Sequence, residues 1–304
     1  MDAGSIELTV KNFAHRQVEF PAKNSQLDLF TSSDFFAGYL SVFDEFVGFA
    51  RSAEKLAEKA AESAALIEKT ESEHCEEKLT GIVRRKLKEL EQMTGDKLSA
   101  EIGELYLIIF LGDGSYDGHG MLLGDESFVF FDLAAQLRAE ESNSGGYDLE
   151  AWAAHELIHA LHYGFSPEFY LANYEGPRDR ILKRTYAEGL ATWLSDRLLD
   201  ASRSVSLWLG LLPEAEVKRW QQRCREERQR IAAELKKQFQ RSELNLDLFF
   251  RLFARIGSNY IGCRCGYYYG FEVVENLKGE KNPGRLLELE ADRAGEEVRS
   301  YFNL

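Results

Sequence analysis

The run Ala154-His155-Glu156-Leu157-Ile158-His159-Ala160 places two imidazoles and a carboxylate within five residues of an otherwise apolar segment. Residues four apart on an α-helix stand on one face, a turn from each other, so His155 and His159 can reach a single Zn²⁺ together. Glu156, between them, is then placed to take a proton from a water that the ion acidifies. Three fixed residues at this spacing arise by chance in about one chain of this size in a hundred. The weight of the motif therefore rests on its surroundings.

A catalytic zinc commonly keeps three protein ligands and leaves a fourth position open. His155 and His159 supply two. The best third candidate is Glu188, in Thr185-Tyr186-Ala187-Glu188-Gly189-Leu190-Ala191-Thr192-Trp193-Leu194. That segment reads as a second apolar helix, and Gly189 with Ala191 permits close approach to the first. A carboxylate in such a setting costs several kcal/mol to bury unless a cation or hydrogen bonds compensate it. A metal ion would compensate it.

Hydrolysis at such a centre also needs a donor for the developing oxyanion. The stretch Cys263-Arg264-Cys265-Gly266-Tyr267-Tyr268-Tyr269-Gly270-Phe271 offers tyrosines, which can equally be helix-packing residues with their hydroxyls at the surface. Cys263 and Cys265 lack a partner cluster and read as free thiols. His162 reads as a packing or solvent-facing residue, or one beside the ligands, and His119 as part of a turn. His15 and His74 carry no context.

His-Glu-x-x-His followed by Glu-Gly-Leu-Ala (Glu188 to Ala191) resembles the gluzincin branch of the zincin metallopeptidases. The second run is similar to the Glu-Gly-Phe-Ala of membrane-alanyl-type aminopeptidases. The resemblance extends to an uncharacterised bacterial family of predicted zinc-dependent proteases, with a later Gly-Tyr-x-x-Gly, here Gly266 to Gly270. The three motifs stand in the same order, and the resemblance covers about residues 105–277. It implies a peptidase in which His155, His159 and Glu188 hold Zn²⁺, Glu156 is the general base and Tyr267 steadies the oxyanion. Tyr268 is the other tyrosine considered for that role. The metzincin pattern is excluded, because no histidine follows His162.

The chain also departs from these patterns. The interval from His159 to Glu188 is longer than in the aminopeptidases, and their Gly-x-Met-x-Asn signature has no recognisable counterpart. Thr192 stands where thermolysin-like enzymes place an Asp one turn after the third ligand, and Asp196 lies a turn further on.

The elements that must position these residues can be read from hydrophobic spacing. Residues 1–30 read as extended or irregular, and Ser33-Asp34 caps a helix from Phe35 to Ala50. Helical spacing continues from Ser52 to Met93, with Thr80-Gly81 a potential break. Leu105 to Leu111 is a short apolar run that predicts a buried strand. The glycine loop 112–120 leads to Met121-Leu122-Leu123 and Phe128 to Asp132, which together predict a small, mainly antiparallel sheet. Asp113 and Asp117 in that loop lack the spacing of an EF-hand. A strand within 121–132 is a candidate edge for pairing an extended peptide.

Asp148 caps the motif helix, Leu149 to Tyr163. Further helices are predicted over Arg184–Leu199, Glu214–Arg241, Leu244–Ile256, Gly266–Leu277 and Gly284–Phe302. The expected fold class is α+β, mostly helical with a small sheet beside the motif helix, and the resemblance implies that it is zincin-like. The organisation is an N-terminal helical region, 1–95, with a metallopeptidase region, 96–304, or one continuous domain.

Composition bounds the function. The 304 residues are 44% hydrophobic and 29% charged, as in an ordinary globular protein. The net charge of −14, from 51 acidic and 37 basic residues, disfavours nucleic acid as a partner. No apolar run approaches the ~18 residues of a membrane span. The first residues lack a basic start and an apolar core, so a cytoplasmic protein is expected. Oligomeric state leaves no mark. The expected activity is zinc-dependent hydrolysis of a peptide or protein substrate; the alternative is a zincin-fold binding protein with a structural or non-catalytic metal.

Overall fold

The structure, a computed structural model, describes residues 5–42, 53–67, 69–95, 97–112, 118–136, 147–199, 203–239, 264–277 and 282–304. The end of the helix expected to reach Ala50, the loop residues Asp113 and Asp117, the helix expected at 244–256 and Cys263 lie outside the described residues. The protein is mostly helical with one small sheet, an α+β architecture.

Strands β1 (Glu7–Asn12), β2 (Glu104–Phe110), β3 (Gly118–Leu123) and β4 (Glu126–Asp132) form that sheet in the order β1-β2-β4-β3. β1 runs parallel to β2, with Leu8 opposite Leu105, and β2 parallel to β4, with Leu107 opposite Val129. Only β3 and β4 are antiparallel, with Gly120 opposite Val129. The expected mainly antiparallel sheet is therefore corrected to a mixed one. The β3–β4 hairpin turns through Gly124 at φ 62°, a left-handed backbone that glycine adopts without steric cost. β3 then occupies the outer edge of β4, and β2 and β1 pair successively on its other side. Local spacing detects the hairpin but not these pairings, which join distant segments.

Residues 1–30 are a second correction. After β1 come helices α1 (Phe13–Glu19) and α2 (Lys23–Ser32), not irregular chain. Asn12 starts α1 by accepting a hydrogen bond from the His15 amide at 3.2 Å. Gln17 Nε2 donates to the Leu111 carbonyl and the Leu111 amide donates to Gln17 Oε1, both at 2.8 Å, so a side chain replaces a strand at the end of β2. Gln17 Nε2 also donates to Gln26 Oε1 at 2.9 Å, which locks α1 to α2. This tertiary anchoring outweighs the weak local helical signal.

Helices α3 (Asp34–Val42), α4 (Ala53–Ala64), α5 (Lys69–Thr94) and α6 (Lys97–Glu101) complete the N-terminal part. α5 passes unbroken through Gly81, where an added Cβ would meet nothing within 4 Å. One glycine in so long a helix costs only about 1 kcal/mol. The two faces of the sheet divide by strand alternation. Phe128 and Phe130 of β4 pack with Phe35, Phe36 and Tyr39 of α3. Phe131 points the other way and meets Trp152 edge-on at 4.7 Å.

Trp152 belongs to α7 (Leu149–Phe165), which carries the motif. Beyond it lie α8 (Pro177–Leu198), α9 (Arg203–Trp208), α10 (Glu214–Phe239), α11 (Cys265–Asn276), α12 (Pro283–Leu287) and α13 (Ala291–Phe302). α8 starts about two turns earlier than expected, with Pro177 preset for a first helical position. The single helix expected from Gly284 divides into α12 and α13. The Leu286 carbonyl accepts from the Tyr186 hydroxyl at 2.7 Å, and the Leu287 carbonyl from the Ser166 hydroxyl at 2.8 Å. Side chains thereby take two acceptors that a continuing helix would use. Buried apolar residues from Ile6 to Phe302 form one continuous core. No helix among the described residues is long and apolar enough to cross a membrane.

Candidate metal centre

Helix α7 begins at Asp148, whose carboxylate accepts from the Ala151 amide at 2.9 Å. Every side chain from Ala151 to Tyr163 is buried. A helix enclosed on all sides explains why the motif is set among apolar residues. It also means that three histidines and a glutamate are held away from water.

Helix α8 brings Glu188 to the same place. α8 crosses α7 on one side and α11 on the other, and both crossings are tight. A Cβ added at Gly189 would run into the backbone of Gly270, and one added at Gly270 would lie 2.8 Å from the Gly189 Cα. The two glycines let the α8 and α11 backbones touch. That contact sets Glu188 and Tyr267 relative to each other.

The three expected ligands converge. His159 Nε2 lies 3.1 Å from His155 Nε2 and 3.1 Å from Glu188 Oε2, and His155 Nε2 lies 3.4 Å from the same oxygen. Donors bound at ~2.0–2.1 Å to a tetrahedral ion stand about 3.3 Å apart. The triangle has that size, so these atoms fit a metal ion of this radius without rearrangement. Among the described residues, His155, His159 and Glu188 are the group able to hold one.

Burial by itself raises the Glu188 carboxyl. The adjoining His159, hydrogen bonds from both imidazoles and the Arg184 guanidinium overcome it and hold the group well below the ordinary range. Burial pushes His155 down to about 4, so its ring is neutral and its lone pair available. Arg184, one turn before Glu188, places Nε 3.3 Å from Glu188 Oε1. One carboxylate oxygen thus faces the imidazoles and the other faces a cation. Burial disfavours the Arg184 charge, but the adjoining Glu188 carboxylate more than offsets this.

Ligating imidazoles commonly donate their second nitrogen to a carboxylate or carbonyl. Here Nδ1 of both His155 and His159 has no hydrogen-bond partner among the described residues. Ring contacts orient them instead. His159 stacks on Tyr163 at 5.3 Å and 22°, and His155 lies 5.8 Å from the Tyr267 ring at 31°. Thr192 and Asp196 do not reach the imidazoles: the Thr192 hydroxyl donates to the Glu188 carbonyl, and Asp196 pairs with Arg203 at 3.4 Å.

Glu156 is held from above by the sheet. The Gly120 amide, on edge strand β3, donates to Glu156 Oε2 at 3.0 Å. A Cβ at Gly120 would lie 2.5 Å from the His159 Cβ, and one at Gly118 2.8 Å from the Glu156 Cγ. The edge strand therefore rests directly on the motif. Since Gly118 and Gly120 face α7, alternation turns His119 to the opposite face of the sheet. His119 is a strand residue, not the turn residue expected.

Of the three consecutive tyrosines, the structure brings Tyr267 to the ligands. The Tyr268 hydroxyl accepts from Arg225 Nε at 2.9 Å, and the Tyr269 hydroxyl donates to the Cys224 carbonyl at 2.7 Å, both toward α10. Tyr268 is thereby removed as an oxyanion candidate. His162 sits against Phe169 at 4.5 Å, fully buried, with no hydrogen-bond partner among the described residues for either nitrogen. Burial pushes it down to about 3, a neutral packing residue.

Sequence reasoning passed over Arg184, Tyr163 and Gly120. The first two carry a usable signal, one helical turn from Glu188 and His159 respectively. Gly120 carries none, because its role depends on which edge β3 takes. Comparison of the chain with protein-family models, with curated proteins and with solved structures returns no match.

Proposed function

We propose that this protein is a zinc-dependent metallopeptidase of the gluzincin kind, in a zincin-like fold. The observation that carries the reading is the convergence of His155 Nε2, His159 Nε2 and Glu188 Oε2 at tetrahedral spacing, with Glu156 on the same helix. Two nitrogens and one carboxylate oxygen suit zinc and leave a position open. An ion held there would lower the pKa of water and polarise a carbonyl.

The chain's own residues supply the rest. Glu156 accepts the proton from the attacking water and returns it to the leaving amine. The Gly120 amide holds one carboxylate oxygen, which fixes that side chain before substrate arrives. Arg184 keeps Glu188 ionised and turned toward the imidazoles. Tyr267, against the His155 ring, is the candidate donor to the oxyanion. β3, at the sheet edge above the motif, is the element on which an extended peptide would lie.

The test is metal content and peptide hydrolysis measured on the same preparation. One zinc per chain and hydrolysis of a mixed peptide pool are expected. Glu156→Gln should keep the zinc and lower turnover by about 10²–10⁴-fold, the usual contribution of a general base. Full activity of E156Q would overturn the mechanism. A chain that binds zinc yet cleaves nothing would be the non-catalytic alternative.

A further inference from the structure

Tyr267 lies against a buried cation. Arg264 precedes α11 in a left-handed conformation, φ 58° and ψ 12°, and is 3% exposed. Its Nε donates to the Leu207 carbonyl at 2.7 Å, and its guanidinium carbon lies 3.7 Å from the centre of the Tyr267 ring. The cation lies over the ring, as in a cation–π contact. Its Nη2 is buried and has no hydrogen-bond partner among the described residues. A buried guanidinium donor without an acceptor is unfavourable, and an anion is the acceptor that relieves it most strongly.

Arg184 is the second cation at this centre. Its side chain is 32% exposed, and its Nε lies 3.3 Å from Glu188 Oε1. Arg264 adjoins the centre through Tyr267, whose ring lies 5.8 Å from that of His155. Among the described residues, Glu156 and Glu188 offset Arg184 and Arg264. A divalent ion on the three ligands would then leave two positive charges at the site, in a chain whose net charge is −14. The excess is local and opposite in sign to the protein as a whole. The planar fork of a guanidinium matches a carboxylate best.

We infer that the site selects substrates carrying a carboxylate close to the bond that is cut, read by Arg264 together with Arg184. The inference rests on the peptidase reading, since the same centre would perform the hydrolysis. The carboxylate has two sources, an acidic side chain or a free C-terminus, and the experiment separates them.

Zinc-loaded E156Q protein is titrated calorimetrically with four N-acetylated pentapeptides: Ala-Ala-Glu-Ala-Ala amide, its Gln twin, penta-alanine acid and penta-alanine amide. At least tenfold tighter binding is expected for one acid over its neutral twin. Glu over Gln assigns the side chain; acid over amide assigns the C-terminus. In R264Q, checked for unchanged zinc content and thermal unfolding, the preference should disappear. If R264Q fails to fold, R264K keeps the charge without the fork and should bind the preferred acid more weakly. Equal binding of both pairs, no binding at all, or a preference that survives undiminished in the Arg264 variant overturns the inference. Because binding is read without turnover, the two readings fail separately. Equal binding alongside hydrolysis by the wild type removes only the carboxylate selectivity. A carboxylate preference in a protein that hydrolyses nothing removes only the peptidase.

Discussion

Helix α7 carries His155, His159 and His162 along one face, a turn apart from one to the next, and the three meet different fates. All are buried within the same seventeen-residue helix. His155 and His159 face a carboxylate within 3.4 Å, backed by an arginine. His162 faces only rings, those of Phe169, Tyr163 and Tyr186. Burial alone thus produces an inert imidazole, whereas burial with converging donors produces a site. The difference lies not in α7 but in what α8 brings against each turn, Glu188 at His155 and His159 and Tyr186 at His162.

The largest expected effect removes that partner. Glu188→Ala should weaken zinc binding by well over 100-fold, the upper figure for outer partners of a ligand. It also strips the anion from two buried imidazoles and leaves Arg184 without its Glu188 oxygen. Competition against a zinc-sensitive dye would measure the loss. If Glu188→Ala binds zinc as the wild type does, His155 and His159 make a site without α8, and the contrast with His162 collapses.

Next comes the crossing that delivers Glu188. Gly189→Ala puts a methyl group into the Gly270 backbone, and the helices must separate. Overpacking of this kind costs about 1–3 kcal/mol or more, visible as a lower thermal midpoint. Zinc affinity should fall as well, because Glu188 adjoins the substituted position. Gly81→Ala is the control, since its Cβ meets nothing, and should leave the midpoint unchanged or slightly raised. Equal midpoints for the two variants would show that the Gly189–Gly270 contact does not set the site.

These contrasts also mark what the chain discloses before it is folded. The motif helix, its Asp148 cap and the identity of Glu188 are legible because each is a local pattern: spacing of four, a capping residue, an acid in an apolar run. The Gly189 contact is half legible, as a small residue next to a ligand, though its partner Gly270 lies across the fold. The parallel pairings β1–β2 and β2–β4 are not legible, because they join segments whose register no local turn dictates. For the same reason Gly120 gave no sign of holding Glu156, and His119 looked like a loop residue. Arg264 is hidden for another reason: its left-handed backbone and its place over Tyr267 exist only once α9 and α11 have docked.

The smallest effect belongs to His162. His162→Phe replaces one planar ring by another among aromatic neighbours and removes two buried nitrogens that make no hydrogen bond within the described residues. Near neutral pH the stability should be unchanged or raised by about 1 kcal/mol, since such atoms give nothing in return for their lost hydration. Zinc affinity should not move. The pH dependence should separate the two proteins more clearly. In the folded protein His162 holds no proton until about pH 3, whereas in the unfolded chain it takes one up near pH 6.5. Between those limits the unfolded state binds the extra proton, so wild-type stability falls with acidification by up to about 1.4 kcal/mol per pH unit from this residue alone. His162→Phe lacks that proton and should lose stability less steeply below pH 6.5 in urea unfolding. Parallel slopes for the two proteins would mean that His162 finds a partner on protonation. It would then no longer stand as the inert counterpart of His155 and His159.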